Sequence, residues 1–213
     1  MPPRRREDAA APGGFPSTGH WSLVEGLYAA GLFNEFIRRC DHVTMAAQTM
    51  ICNVGGFIET SDTDAFGTPK YVAFKLYVDH SGPLAVRTSV ESPTFAVPAM
   101  GNMPARRDEP YLDVTATRDQ DGRRLWLHVV NRHPRQALEA EIELGHAVPG
   151  AAIAHTMTGP DVWAWNSFGN KEAVKITSSP VSFGRTFTFP ARSATALEIT
   201  LAENPSASTI GRP

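Results

Sequence analysis

Cysteine is nearly absent. Two residues, Cys40 and Cys52, are all that 213 positions hold, too few for a disulfide framework, so buried free thiols are the expected reading. No apolar stretch approaches the roughly 20 residues that a bilayer requires. The opening MPPRRREDAAAPGGFP has no apolar core behind its arginines. Neither a membrane span nor a signal peptide is expected, and a cytoplasmic location is the default. Excess charge of one sign is also missing: the formal net charge is −2, and the one basic run, Arg4-Arg5-Arg6, is followed at once by Glu7-Asp8. A nucleic-acid binder would show a basic face or stripe, so that class is set aside. There is no GxGxxG, no phosphate loop and no GxSxG turn. The seven histidines, at 20, 42, 80, 128, 133, 146 and 155, show neither the i, i+4 pair nor the Cys-His cluster that zinc requires. They read as scattered surface or hydrogen-bonded side chains, and neither a metal nor a cofactor is expected.

What is present is ordinary for a globular chain, with 42% hydrophobic and 20% charged residues. The chain is organised around Tyr111 to Asn131. Leu112, Val114 and Ala116 alternate with polar neighbours, and Leu125, Leu127 and Val129 alternate with Trp126, His128 and Val130, the period of two of strands. Asp121-Gly122 between them tolerates positive φ, which predicts a tight hairpin turn. The second strand is apolar on both faces and reads as central.

In chain order, residues 1–19 and 204–213 are expected to be poorly ordered tails. Ser22 and Glu25 form a capping box ahead of Leu23, Leu27, Ala30, Phe33, Phe36 and Ile37, which predicts a helix over about 23–40. Val24, Tyr28 and Leu32 widen its apolar band, so it wants cover on more than one side. Val43 to Val54 is a nearly continuous apolar run closed by Gly55-Gly56 and predicts a strand buried on both faces. A second helix is expected around Tyr71 to Tyr77, ended by Ser81-Gly82. From Leu84 onward turn signals recur, and the predicted strands are 85–90, 111–117, 125–131, 137–144, 151–158, 174–178, 185–189 and 194–201. This cadence is that of a β-sandwich. Pro93, Pro98, Pro104 and Pro110 mark a long connection between the first two.

Few residues invite chemistry. Asp62/Asp64 and Asp108/Glu109 read as solvated loop acids, and the capping box accounts for Glu25. Trp163 and Trp165, one residue apart, place both rings on one face of an extended segment. They offer either a sugar-stacking platform or, as the favoured reading, large side chains that pin a loop to a sheet.

Six blocks come in a recognisable order: SLVEGLYAAGLFNEFIRRCDHVTMA, Asn53-Val54, TPKYVAFKLYVDHSG, YLDVTATRDQDGRRLWLHVVNRHP, MTGPDVWAWNSF and FPARSATALEITL. Over about residues 20–202 the chain resembles the C-terminal part of an α-L-arabinofuranosidase of glycoside hydrolase family 51. The resemblance implies a mainly β chain: a C-terminal β-sandwich over 84–203, preceded in 20–83 by the last helix and strand of an incomplete (β/α)8 barrel. It implies retaining hydrolysis of terminal arabinofuranosyl residues from arabinan and arabinoxylan. Retention uses two carboxyl groups about 5–5.5 Å apart. In the family these are glutamates on the fourth and seventh barrel strands, upstream of residue 20, so no catalytic residue is carried over. The family's eighth strand offers a glutamine to the sugar. Met50 falls at that position, and Gln48 lies two residues earlier on the same face. Partners implied are arabinofuranosyl oligosaccharides through the full enzyme, and a second copy or a barrel-containing chain. A non-catalytic carbohydrate-binding or structural sandwich is the alternative.

Overall fold

The computed structural model describes residues 22 to 202, other than 146 and 183. Both predicted tails, His20 and His146 lie outside the described residues. The elements in order are α1 (Leu23–Arg38), β1 (Ile58–Thr60), β2 (Ala65–Gly67), α2 (Pro69–Asp79), β3 (Leu84–Val86), β4 (Thr94–Val97), β5 (Arg106–Pro110), β6 (Leu112–Arg118), β7 (Arg124–Asn131), β8 (Leu138–Glu141), β9 (Val148–Thr158), β10 (Lys175–Val181), β11 (Thr186–Phe189) and β12 (Ser193–Ala202). The chain is mainly β.

Six strands form one antiparallel sheet in the order β10-β9-β12-β7-β6-β3. The predicted hairpin is β6–β7, and β7 lies inside the sheet between β6 and β12. Its reversal is looser than a two-residue turn. Residues 119–123 connect the strands, Gly122 takes φ 74°, and Asp119 and Asp121 accept the N–H groups of Arg124 and Arg123 at 3.0 and 3.1 Å.

Antiparallel pairing fixes which side chains share a face. Leu112, Leu125, Val129, Ala154, Leu197 and Ile199 join Phe189 and Ile142 in one buried core, with Leu138, Ala140 and Phe187 packed against it. The small β8–β11 sheet therefore covers this face. On the other face Val130, Met157, Ala194 and Ala196 pack with Leu23, Ala29, Ala30, Val72, Ala73, Leu76 and Tyr77 of the two helices.

Both predicted helices form. In α1 the Glu25 carboxylate accepts the Ser22 N–H at 2.6 Å and the Ser22 hydroxyl at 2.9 Å, tying down the first turn. Thr68 caps α2, with Pro69 in the first turn where its missing N–H costs no bond. The helices approach closely because position 26 is glycine: a Cβ there would meet the Pro69 carbonyl oxygen at 2.9 Å. One stripe of α1 faces the sheet, and the stripe Val24, Tyr28 and Leu32 stays 41%, 73% and 40% exposed.

Three expectations are corrected. Residues 43–54 are not a buried strand. Met45, Met50, Ile51 and Val54 are 87%, 64%, 57% and 61% exposed, and the pairing of this stretch is an isolated bridge from Cys52 to Ile58. A strand apolar on both faces needs neighbours and cover on each side, and the described residues supply neither. Cys40 and Cys52 are free but exposed rather than buried, because Cys52 lies in that uncovered stretch and Cys40 shortly before it. The connection before β6 holds a hairpin, β4–β5, whose prolines sit at its margins where a lost N–H is tolerated.

Candidate functional site

The helix-covered face of the sheet carries the polar chemistry. Asp113 on β6 is 4% exposed and accepts hydrogen bonds from Arg38 of α1 at 2.6 Å and from Arg132 at 2.5 Å. Burial works against the Arg38 charge, but Asp113 and Glu35 more than restore it, so its pKa lies above the ordinary value. Asn34, fully buried, donates to the Asp113 carbonyl at 3.1 Å and accepts from the Tyr77 hydroxyl at 2.6 Å. Burial pushes the Tyr77 phenol well up, with the Asp113 charge adding to it. The Tyr77 ring stacks on His128, 4.7 Å between centroids. His128 Nε2 lies 3.3 Å from the Ser81 hydroxyl and 3.4 Å from that of Thr117, and burial lowers its pKa to about 3. These contacts clamp helices to sheet, with Asn34, Tyr77, Asp113 and His128 buried and the Arg38 and Arg132 side chains about a third exposed.

Most other carboxyl groups among the described residues are in ion pairs or face solvent. Arg39 and Arg38 hold the Glu35 carboxyl below its usual range. Asp64 pairs with Lys171, and Glu109 lies within 3.4 Å of Arg106 and 3.8 Å of Arg132. Asp62, Asp64 and Asp108 are exposed, as solvated loop acids should be. Burial raises the Glu59 pKa, opposed by Lys70, but its cross-strand partner is Phe66, not a second acid.

Gln48 and Met50 lie in the exposed stretch that follows α1. Gln48 Nε2 donates to the Thr49 carbonyl at 2.9 Å, and Met50 takes φ 55°, so the even spacing of a strand is lost there. Trp163 and Trp165 flank the buried Ala164 and are 58% and 41% exposed. Asn166 ties their loop down: 1% exposed, it donates to the Gly67 and Val174 carbonyls at 2.9 and 3.0 Å and accepts the Val174 N–H at 2.7 Å. The Leu23 and Val24 N–H groups donate to the Ala164 and Val162 carbonyls at 2.8 and 3.2 Å, so this loop also caps α1.

Sequence reasoning missed the Asp113 and His128 networks, whose partners lie 75 and 47 residues away. The signal that was available was polar residues at every second position of β6, namely Asp113, Thr115 and Thr117, opposite an otherwise apolar β7.

Residues 14–193 match the model of the α-L-arabinofuranosidase C-terminal domain. The chain belongs to that family. A probable α-L-arabinofuranosidase C of Aspergillus niger is 27% identical over 183 residues, covering 85% of this chain and 35% of that protein. An intracellular exo-α-L-arabinofuranosidase of Bacteroides ovatus is 26% identical over 155 residues, covering 72% of this chain and 29% of that protein. Among solved structures, the Thermotoga maritima α-L-arabinofuranosidase in its arabinose complex superposes with a TM-score of 0.79 at 33% identity, covering 85% of this chain and 39% of that one. The glycoside hydrolase family 51 enzyme of Thermotoga petrophila gives 0.78 at 33% identity, covering 84% and 38%. The chain thus spans roughly a third of the length of the curated relatives it matches, as a C-terminal part. Among the described residues no helix is long and apolar enough to cross a membrane.

Proposed function

We propose that the chain serves as the non-catalytic C-terminal portion of a cytoplasmic, retaining α-L-arabinofuranosidase that releases terminal arabinofuranosyl residues from arabinan or arabinoxylan. In this reading residues 20–83 complete the end of a (β/α)8 barrel and residues 84–203 form the supporting sandwich. Both catalytic glutamates belong to the part of the relatives that this chain does not match. The observation that carries the reading is the match to the family's C-terminal domain, combined with coverage of only 39% of the Thermotoga maritima enzyme. The surface supports it. The Val24, Tyr28 and Leu32 stripe and the apolar stretch from Met45 to Val54 are uncovered, as expected of faces that a barrel would bury. Gln48 and Met50 would then line the sugar site, with Met50 in the place of a hydrogen-bonding glutamine.

The purified chain is expected to leave a chromogenic arabinofuranoside intact. Saturable turnover by the chain alone would overturn the proposal. A barrel-bearing chain or a second copy of this one would cover the same faces, and size-exclusion after co-expression with a relative's barrel separates the two.

The exposure of Trp163 and Trp165 favours a second reading, a carbohydrate-binding surface. Tryptophan fluorescence titrated with arabino-oligosaccharides tests it: an unchanged spectrum, or an equal shift after both are replaced by alanine, removes it.

A further inference from the structure

The fold brings together two histidines that are 75 positions apart along the chain. His80 ends α2, His155 lies on β9 and Glu198 on β12, and one ligand atom from each lies within 4.8 Å of the others. We propose that His80, His155 and Glu198 form a site for a divalent cation of the zinc class.

His155 is the anchor. It is 7% exposed, and its Nε2 has no hydrogen-bond partner among the described residues although it is buried. A buried, unmatched ring nitrogen is costly, and structures normally satisfy it. Its Nδ1 lies 2.8 Å from the Ser178 hydroxyl on β10. A proton held at Nδ1 and donated to Ser178 leaves the Nε2 lone pair free, the outer-shell arrangement that orients metal-binding imidazoles. Glu198 Oε2 lies 3.6 Å from that Nε2. Zinc bonds of about 2.0–2.2 Å to nitrogen and oxygen, set at tetrahedral angles, span a gap of this size.

His80 now stacks on His155, with centroids 3.6 Å apart and planes 14° from parallel. The in-plane lone pairs of parallel rings do not converge on one ion, so uptake requires the His80 ring to turn edge-on. Its position permits that, since it is the half-buried C-terminal cap of a helix rather than a sheet residue. Burial and the His155 neighbour lower its pKa, which favours the neutral form that a metal binds. Two imidazoles and one carboxylate suit zinc better than calcium or magnesium, which prefer all-oxygen sites, and water would complete four-coordination. Bound there, the ion would tie the end of α2 to two central strands.

The test is zinc titration of the chelator-treated chain by calorimetry, in a Cys40→Ser, Cys52→Ser background because both exposed thiols bind zinc themselves. One equivalent of zinc is expected, with a raised melting temperature and intense visible bands when cobalt replaces it. His80→Ala and Glu198→Gln, at the accessible edge of the cluster, should each weaken binding about tenfold or more. Failure to take up one equivalent, or undiminished affinity in either folded variant, overturns the site.

Discussion

Along β7, Leu125, Leu127 and Val129 point into a core built with Phe187, Phe189, Leu197 and Ile199. Trp126, His128 and Val130 turn to the opposite side, in register with Thr117, Thr115 and Asp113 of β6 and with Glu198, Ala196 and Ala194 of β12. One face is thus held by apolar contact, with Thr156 and Thr195 satisfying each other there at 3.0 Å. The other adds to its apolar contacts a set of directed bonds between sheet and helices. A face closed by apolar contact is sensitive to volume, whereas a face closed by buried polar groups is sensitive to charge and proton at constant shape.

The comparison breaks most visibly with a change of volume. Phe189→Ala removes a ring that is 1% exposed, and urea denaturation should show a loss of about 3–5 kcal/mol. A loss under about 1 kcal/mol would mean that the β8–β11 layer is loosely packed.

Asp113→Asn changes almost no volume but leaves Arg38 and Arg132 without their shared anion. Removing one partner of a fully buried pair costs about 3–5 kcal/mol. Both guanidiniums here are about a third exposed and can turn to water, at 34% and 33%, so we expect about 2–3 kcal/mol. An isosteric change that proved neutral would place the helices under apolar contact alone.

Acid should sharpen the contrast. Burial lowers the His128 pKa from 6.5 to about 3, so below pH 6.5 the unfolded chain binds a proton that the folded chain refuses. Stability is full above that pH and falls by about 1.4 kcal/mol per unit as pH drops toward 3. Between pH 6.5 and 5 the loss from His128 is about 2 kcal/mol. The lowered pKa of His80 acts in the same direction. His128→Gln should flatten most of this slope, and an unchanged slope would move the titration to another group.

Where a strand meets apolar cover on one side, its alternation was readable. β6, β7, β9 and β12 all form within a few residues of their predicted positions. The capping pair Ser22 and Glu25 marked the start of α1 for a purely local reason. Failure came where the pattern recorded something non-local. The run from Val43 to Val54 is apolar yet uncovered among the described residues, and a sequence can suggest a need for cover without naming its source. Clusters assembled across the fold were hard to read for the same reason in reverse. His80, His155 and Glu198 carry no spacing signature because three elements bring them together, and Asn166 ties the loop of Trp163 and Trp165 to Gly67, 99 positions away in the chain.

The uncovered stretch after α1 also concentrates sulfur. Cys40, Met45, Met50 and Cys52 lie within thirteen positions, and all four are exposed. Thiols and thioethers are the side chains that peroxide attacks first, and the products are polar. Oxidation would therefore turn this exposed apolar stretch hydrophilic, and a partner that covered it would shield its sulfur chemistry as well.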